Sequence, residues 1–561
     1  MRIPILPFVS LLAVSLVLAF PTDQRSTLQT VLGDIPKYSN QLEHTLDDAY
    51  TKLEEKAKNV LLDIEGTVER WIEDGRSYVK QHGTIFEHFT HFAFNDHAIR
   101  ITEPTLCDPD VQQYSGYLDV SDGKHLFFWF FESRVSPADA PLILWLNGGP
   151  GCSSSTGLLF ELGPCSVSDE GKNTTYNPYS WNSHANIIFL DQPVDVGYSY
   201  SSDGSTVNTS PAAGEDVYAF LELFLGRFPK YAKAPFHLAA ESYGGTYAPN
   251  IASVIHKYNK QFASSPEGVM ASAPVPPVKH INLASVILAN GHTDPLVQMA
   301  AIPEFACEGP YPIYDDPNGP ECIALRSKVP TCERLVKACY QYESRLACVP
   351  AALYCETQLW GEIQKLKLNP YDVRRSCDRE KDGALCYKQM EWIDVWMNIP
   401  EVKRAVGANP DRTFQSCNMG VNQAFLMQGD AMHNSAKLLP ELIEDGIRLL
   451  VYAGNADYMC NFIGNEAWML KLENKYQKEF QAASQVPWHT LDSGKLAGMV
   501  RTAGGQGDSA GNVTFVAVHE AGHMVPFDQP EAALDLIERW ILNVPLTLNA
   551  TQKASHIFGL W

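Results

Sequence analysis

The chain has 561 residues, enough for one large α/β unit carrying an insertion together with removable segments. Hydrophobic residues make up 45% and charged residues 19%, with 11 Trp, 24 Tyr and 25 Phe, which excludes a largely disordered chain. Asp and Glu number 65 against 43 Lys and Arg, a formal charge of −22 that repels phosphate and argues against general nucleic-acid binding.

Residues 1–19 read as a signal peptide: an early Arg2, an apolar run from Ile3 to Leu18, and the small Ala19 at the expected cut. No later run reaches the roughly 20 apolar residues of a spanning helix, so the mature form is predicted to lack a membrane span. From 20 to about 101 the spacing of Leu53, Ala57, Val60, Leu61, Ile64, Val68, Trp71 and Ile72 predicts amphipathic helices. No catalytic motif falls there, and the segment reads equally as an N-terminal domain or as a propeptide.

Near Thr102 the pattern becomes that of an α/β protein. Strands are predicted at 125–134, 141–148, 186–192, 235–240, 287–291, 447–454 and 514–518, and a helix over 213–228. Their short continuous apolar runs suit a sheet covered on both faces. Stretches 264–277 and 504–511 are rich in Gly, Ser and Pro and read as exposed excursions, while about 294–417 is a Cys-rich insertion that splits the core.

Thirteen Cys behind a signal peptide imply disulfides, and the odd number leaves at least one thiol unless it pairs between molecules. No CxxC pair occurs, which disfavours a zinc finger. N-x-S/T sites at Asn173, Asn208, Asn512 and Asn549 are candidate glycosylation points.

The chemistry concentrates at strand ends. Ala240-Glu241-Ser242-Tyr243-Gly244 follows an apolar strand and approximates the G-x-S-x-G elbow, in which small flanking residues permit the sharp turn that lifts the Ser oxygen out of the sheet. Asp457 follows the 447–454 strand and His523 the 514–518 strand, giving the Ser, Asp, His order of α/β hydrolases. A literal H-E-x-x-H also spans His519 to His523. Gly522, the nearby Pro526 and the preceding β-branched run make the helix which that zinc chemistry needs unfavourable.

Four motifs, WLNGGPGCSS (145–154), ESYGG (241–245), GNADYMCN (454–461) and GHMVPFDQP (522–530), resemble those of serine carboxypeptidases of the fungal vacuolar carboxypeptidase Y type, and the resemblance covers about 107–540. Segment 178–201 is similar as well. The resemblance implies an α/β-hydrolase fold with a helical, disulfide-rich insertion over the active site, divided as a propeptide over 20–101, core over 102–293, insertion over 294–417 and core over 418–561.

It further implies a triad of Ser242, Asp457 and His523, an oxyanion hole from the amides of Gly149 and Tyr243, and recognition of the substrate's C-terminal carboxylate by Asn147, Gly148 and Glu241 with Trp145 in support. Cys460, the family's unpaired thiol, and Met524 would border the substrate. The implied disulfides are Cys152–Cys417, Cys307–Cys322, Cys332–Cys355, Cys339–Cys348 and Cys377–Cys386, which leaves Cys107 and Cys165 as a hypothetical sixth pair.

The implied reaction is acid-pH release of C-terminal amino acids from peptides and proteins through an acyl-enzyme, with no metal or other cofactor and with an activating protease to remove the propeptide. The implied destination is the vacuole, with secretion as the alternative. Acyl transfer by the same acyl-enzyme, or a non-catalytic peptide-binding cleft, are the competing readings. The chain departs from the family pattern at Ala240, at Gly244-Gly245-Thr246 and in a longer excursion over 263–281, which leaves side-chain preference open.

Overall fold

A computed structural model describes residues 68–73, 76–91, 94, 96–120, 123–264, 279–383, 385–505 and 508–548. The leader over 1–19, the apolar positions from Leu53 to Ile64, the glycosylation site at Asn549 and nearly all of the 264–277 excursion lie outside the described residues. The chain divides into two compact units, one up to Val79 and one from Lys80 onward.

In the first unit Val68–Glu73 is a strand, and a second strand, Arg76–Gln81, ends just past its boundary. This corrects the helix predicted over Val68, Trp71 and Ile72. Three apolar positions in so short a window fit either period, and β-branched and aromatic side chains favour the extended form.

The second unit is built on a long mixed sheet. Its strands, in chain order, are β1 (Thr84–Thr90), β2 (His97–Thr102), β3 (Gln113–Val120), β4 (Lys124–Phe131), β5 (Leu142–Leu146), β6 (Asn186–Leu190), β7 (Phe236–Glu241), β8 (Leu283–Ala289), β9 (Arg448–Gly454), β10 (Val486–His489), β11 (Leu496–Ala503) and β12 (Val513–Val518). They lie side by side as β1-β2-β3-β4-β6-β5-β7-β8-β9-β12-β11-β10. The central six, β6 to β12, run parallel, and antiparallel strands extend both sides. The domain boundary expected at 101/102 falls inside β2, which pairs along its whole length with β3.

Alternation sorts the parallel strands between two cores. Leu142, Leu144, Leu146, Leu238, Ala240, Val286, Leu288, Leu449 and Val451 face one apolar layer. Ile143, Trp145, Ala239, Ile287, Ala289, Leu450 and Tyr452 face the other. Both sets are buried, which is why these strands read as continuous apolar runs instead of alternating with polar residues. On the first face lie α1 (Ser210–Arg227) and α2 (Gly244–Ser264), packed against each other.

The chain leaves the sheet after β8 and returns at β9. Between them come the helices α3 (Pro295–Glu308), α4 (Pro320–Tyr342) and α5 (Arg345–Gln358). Disulfides Cys307–Cys322, Cys332–Cys355 and Cys339–Cys348 staple these three together, each closing a short loop. Cys377–Cys386, Cys152–Cys417 and Cys107–Cys165 are also formed, and Cys460 alone is a buried free thiol. No helix of the described residues is long and apolar enough to cross a membrane.

Polar groups under the antiparallel flank are paired. Arg100 on β2 donates from Nε and Nη2 to Asp119 on β3 at 2.7 and 2.8 Å and from Nη1 to Gln81 at 2.8 Å. Burial alone would raise the Asp119 pKa, but the Arg100 charge and its hydrogen bonds outweigh it and hold the carboxyl below its usual range. Beside this pair Gly116 sits at φ +146°, where a Cβ would stand 1.9 Å from the Arg100 carbonyl oxygen. Gly116→Ala is expected to cost roughly 1–3 kcal/mol by forcing β2 and β3 apart. A lower urea midpoint with an unchanged slope would register that loss.

Candidate active site

Each candidate side chain stands where a parallel strand ends. Ser242 follows β7 in the left-handed conformation, φ 62°, and α2 begins two residues later. The turn is held by Ser242 N–H donating to the Ala289 carbonyl at 3.0 Å and by the Gly245 and His292 amides donating to the Ser242 carbonyl at 2.9 and 2.8 Å. Crowding explains the small residues: a Cβ on Gly244 would lie 2.6 Å from Ala240 Cβ, and one on Gly245 would lie 2.5 Å from the His292 amide. Ala240, one methyl larger than the glycine of the elbow consensus, is therefore accommodated because Gly244 has no side chain.

Asp457 lies in the turn after β9 and His523 in the loop after β12. His523 Nδ1 and Asp457 Oδ2 are 2.7 Å apart, and both side chains are almost completely shielded from solvent. Asp457 also accepts from the amides of Met459 at 3.0 Å and Cys460 at 3.2 Å, and from Asn290 Nδ2 at 2.9 Å. Asn290 follows β8 and receives the Gly454 amide on Oδ1, so one side chain ties the ends of β8 and β9 to the carboxylate. The His523 loop is clamped by its own amide donating to the Tyr371 carbonyl at 2.7 Å and by the Gly522 amide donating to Asp528 at 2.7 Å. Residues 519–523 form turns and not a helix, with Glu520 at φ 53°, so His519 and His523 do not share a helical face.

The loop after β5 brings in the remaining candidates. Gly148 abuts the elbow so closely that a Cβ would lie 2.4 Å from the Tyr243 nitrogen. The amides of Gly149 and Tyr243 donate to no protein group among the described residues and are free for a ligand oxygen. Trp145 Nε1 and the Gly157 amide both donate to Asn147 Oδ1, at 2.9 and 2.8 Å, which turns Nδ2 toward two carboxyls, Glu161 at 3.1 Å and Glu241 at 3.3 Å. Glycine at 157 is required, because a Cβ there would lie 2.1 Å from Trp145 Nε1.

Glu161 and Glu241 both accept from Asn147 Nδ2, and each retains one buried oxygen without a hydrogen-bond partner. Burial raises the Glu241 pKa well above the ordinary carboxyl value, and the neighbouring Glu161 raises it further. Glu161 is raised by burial too, although its bonds to Glu241 and Asn147 oppose the shift. Two like charges buried beside one another cannot both ionise cheaply, which favours a proton on the pair.

Glu161 and Asn290 carry no motif signal. Glu161 lies 14 residues beyond Asn147 at the end of a π-helical turn, Gly157–Glu161, and Asn290 ends an ordinary strand. Only the run of small residues before 157 hints that the backbone there must approach something closely. Cys460 and Met524 are both buried beside the His523–Asp457 pair, and burial raises the Cys460 thiol well above its usual pKa, which makes it a packing group in the unliganded protein. Of the glycosylation candidates described, Asn173 is exposed, while Asn208 and Asn512 are partly buried and Asn512 Nδ2 donates to Tyr476 Oη at 2.7 Å.

A parallel sheet with an elbow Ser, a helical insertion over it and chemistry confined to strand ends defines an α/β hydrolase. A family model described as serine carboxypeptidase matches residues 104–543. The chain is 45% identical over 449 residues to carboxypeptidase Y homolog A of Phaeosphaeria nodorum, covering 80% of this chain and 76% of that one. It is equally 45% identical over 458 residues to carboxypeptidase Y of Candida albicans, covering 81% and 78%. Among solved structures, a prohormone-processing carboxypeptidase from Saccharomyces cerevisiae superposes with a TM-score of 0.63 at 25% identity, covering 77% of this chain and 92% of that one. The chain belongs to the serine carboxypeptidase family and is closely related to the fungal carboxypeptidase Y homologs. It is a serine-type carboxypeptidase that works by a Ser-His-Asp mechanism.

The bridging position of Asn290 yields a prediction. Asn290→Ala removes one donor to Asp457 and the tie to the Gly454 amide, and is expected to lower kcat on the order of 10²-fold with KM little changed, as a small misplacement of reacting groups does. Steady-state kinetics on an N-blocked dipeptide, beside a melting curve showing the fold intact, would check it.

Proposed function

We propose that Ser242 is the nucleophile, His523 the general base and acid, and Asp457 the group that orients the imidazole, with the Gly149 and Tyr243 amides receiving the developing oxyanion. The observation that carries this reading is the buried 2.7 Å contact between His523 Nδ1 and Asp457, which leaves Nε2 as the ring nitrogen for a hydroxyl at the end of β7. Ser242 Oγ attacks the carbonyl of the residue before the last and gives its proton to His523. The C–N bond then breaks, His523 protonates the leaving amine, and a water activated by the same imidazole hydrolyses the acyl-enzyme. The two free amides act where charge develops, which makes them more effective in the transition state than in the ground state.

The same reading assigns the free C-terminal carboxylate of peptides and proteins to Asn147, the Gly148 amide and the Glu241–Glu161 pair, with Trp145 fixing Asn147 and with Cys460 and Met524 bordering the bound residue. The shared proton is what makes two acids compatible with a third carboxylate. As pH rises through the raised pKa that proton is lost and the substrate carboxylate meets net negative charge, so activity on peptides is favoured in acid. The apolar leader, the Asn-x-Ser/Thr sites and the relationship to carboxypeptidase Y homologs support a route through the secretory pathway, a propeptide over about 20–101 removed by an activating protease, and a vacuolar destination with secretion as the alternative.

Two outcomes test this. An organophosphonate is expected to add once to Ser242 and abolish amino-acid release, with a chelator leaving release unchanged; intact mass and peptide mapping read the adduct, and an unmodified Ser242 in inhibited enzyme would sink the assignment. The KM for an N-blocked dipeptide is expected to rise about tenfold or more between pH 5 and pH 8. Glu241→Gln, which keeps a donor but does not titrate, should flatten that rise.

A further inference from the structure

The turn that carries Gly149 is held from two sides. On its outer side the Asn418 amide donates to the Gly151 carbonyl at 2.8 Å, the Ser153 amide donates to the Ser416 carbonyl at 2.8 Å, and Cys152 is bonded to Cys417. On its inner side stands Asp191, the first residue beyond β6, which the reading above leaves without a role. Asp191 Oδ1 accepts from Ser153 Oγ at 2.5 Å and from the Ser154 amide at 3.1 Å, and Oδ2 accepts from the Tyr198 amide at 3.0 Å. Ser153 Oγ in turn receives the Ser155 amide at 3.0 Å.

Asp191 is itself fixed to the sheet. Its amide donates to the Phe127 carbonyl of β4 at 2.8 Å, its carbonyl accepts from Ser199 Oγ at 2.6 Å, and that hydroxyl receives the Phe127 amide at 2.8 Å. Gly197 closes over the carboxylate at φ 55°, where a Cβ would stand 2.1 Å from Oδ2. The residue is 2% exposed and has no ion pair among the described residues. Burial pushes its pKa up to about 6, and the Ser153 hydroxyl with the amides of Tyr198, Ser154 and Ser155 opposes the rise. A carboxylate buried without a counter-charge lowers stability, so its place is explained by the backbone that its bonds hold.

We propose that Asp191 is a positioning residue for the oxyanion hole, aiming the Gly149 amide through Ser153 and the Cys152 amide beside it. The proposal rests on the serine-carboxypeptidase reading and deepens it. The Cys152 amide donates to the Gly148 carbonyl at 3.1 Å. That carbonyl and the Gly149 N–H belong to one planar trans peptide and point in opposite directions, so the bond from Cys152 sets the direction in which Gly149 donates. Gly149, at φ 109°, has no room to drift, because a Cβ there would lie 2.8 Å from the Cys152 nitrogen. Asn147 is tied separately: Ser154 Oγ receives its amide at 3.2 Å and donates to the Leu190 carbonyl at 2.6 Å. A shift of Ser153 therefore tilts the Gly148–Gly149 peptide while Asn147 stays in place, which weakens the transition state and spares ground-state binding.

The test compares two ligands of the mature enzyme, an N-blocked phenylalanine aldehyde and the corresponding alcohol. With the aldehyde, Ser242 Oγ bonds to the carbonyl carbon, the π electron pair moves to the carbonyl oxygen, and His523 takes the serine proton; the alcohol binds without a covalent bond. The ratio of alcohol Ki to aldehyde Ki thus reads stabilisation of the tetrahedral oxyanion and does not depend on how much of a preparation is folded. Ser153→Ala is expected to lower this ratio, and kcat on an N-blocked dipeptide, about tenfold each, less than the roughly 10²–10³-fold of deleting a donor outright. The alcohol Ki and the dipeptide KM should stay within about twofold. Asp191→Asn keeps an acceptor for Ser153 but turns an amide toward the Tyr198 N–H, and should lower the ratio by about threefold or more. Should one variant fail to fold, the other decides. A wild-type ratio overturns the proposal even where kcat has fallen, because a merely structural loss removes active enzyme and leaves the ratio alone. A wild type that binds aldehyde and alcohol equally would instead overturn the assignment of Ser242 and the oxyanion hole on which the proposal rests.

Discussion

Everything at the site hangs on how four parallel strands end beside one another. The first amide beyond β7 donates to the last carbonyl of β8, that beyond β8 to Tyr452 of β9, and that beyond β9 to the last carbonyl of β12. These three bonds, Ser242 to Ala289, Asn290 to Tyr452 and Asn455 to Val518, carry the sheet one residue past its strands and fix where each loop departs. The loops then approach at backbone distance. A Cβ on Gly454 would lie 1.9 Å from the Gly522 carbonyl oxygen, and one on Gly522 would lie 2.4 Å from the Tyr371 carbonyl oxygen. Side-chain geometry at the site is thus inherited from the register of a sheet whose faces are both buried, and such a register cannot slip without exposing both cores.

Charge is treated in opposite ways at two places in the same unit. Asp119, met by a guanidinium, is held ionised, and its contribution to stability is present above the unfolded-state pKa and lost as pH falls through the lowered folded value. Glu161 and Glu241, buried and met by one another, have their pKa values raised, so their contribution is present in acid and lost as pH rises through the raised folded values. The first arrangement is structural. The second buries an unfavourable pair of acids beside Asn147, where ionisation is disfavoured.

The insertion does more than roof the cleft. Tyr371 within it accepts the His523 amide, Leu359 and Trp360 lock onto the Asp457 turn, and the Cys152–Cys417 disulfide fastens its far end to the loop that holds Gly149. Stapling α3, α4 and α5 to each other confers on a region with a modest apolar core the rigidity that a positioned site needs. Elements without chemistry of their own therefore determine where His523 and Asp457 stand.

Much was legible in the residues alone, and the division follows range. The parallel strands announced themselves as continuous apolar runs, and the elbow, the Asp457 turn and the His523 loop as small residues at strand ends, because those signals are local. The strand over Val68–Glu73 was misread since six residues do not settle a period, and β1 and β2, which pair with each other and with β3, escaped because polar and charged residues such as Glu87, His88 and Arg100 interrupt their apolar pattern. Glu161 and Asn290 were silent for a related reason: an acid 14 residues past a motif, and an Asn at a strand end, acquire meaning only from the carboxyl and the aspartate that the fold sets against them. The sequence by itself determined the chemistry available, a Ser, an Asp and a His in hydrolase order with an Asn-Gly-Gly loop. Only the tertiary structure decided which carboxyls are buried together and which amides stay free, because each of these depends on burial and on neighbours from remote parts of the chain.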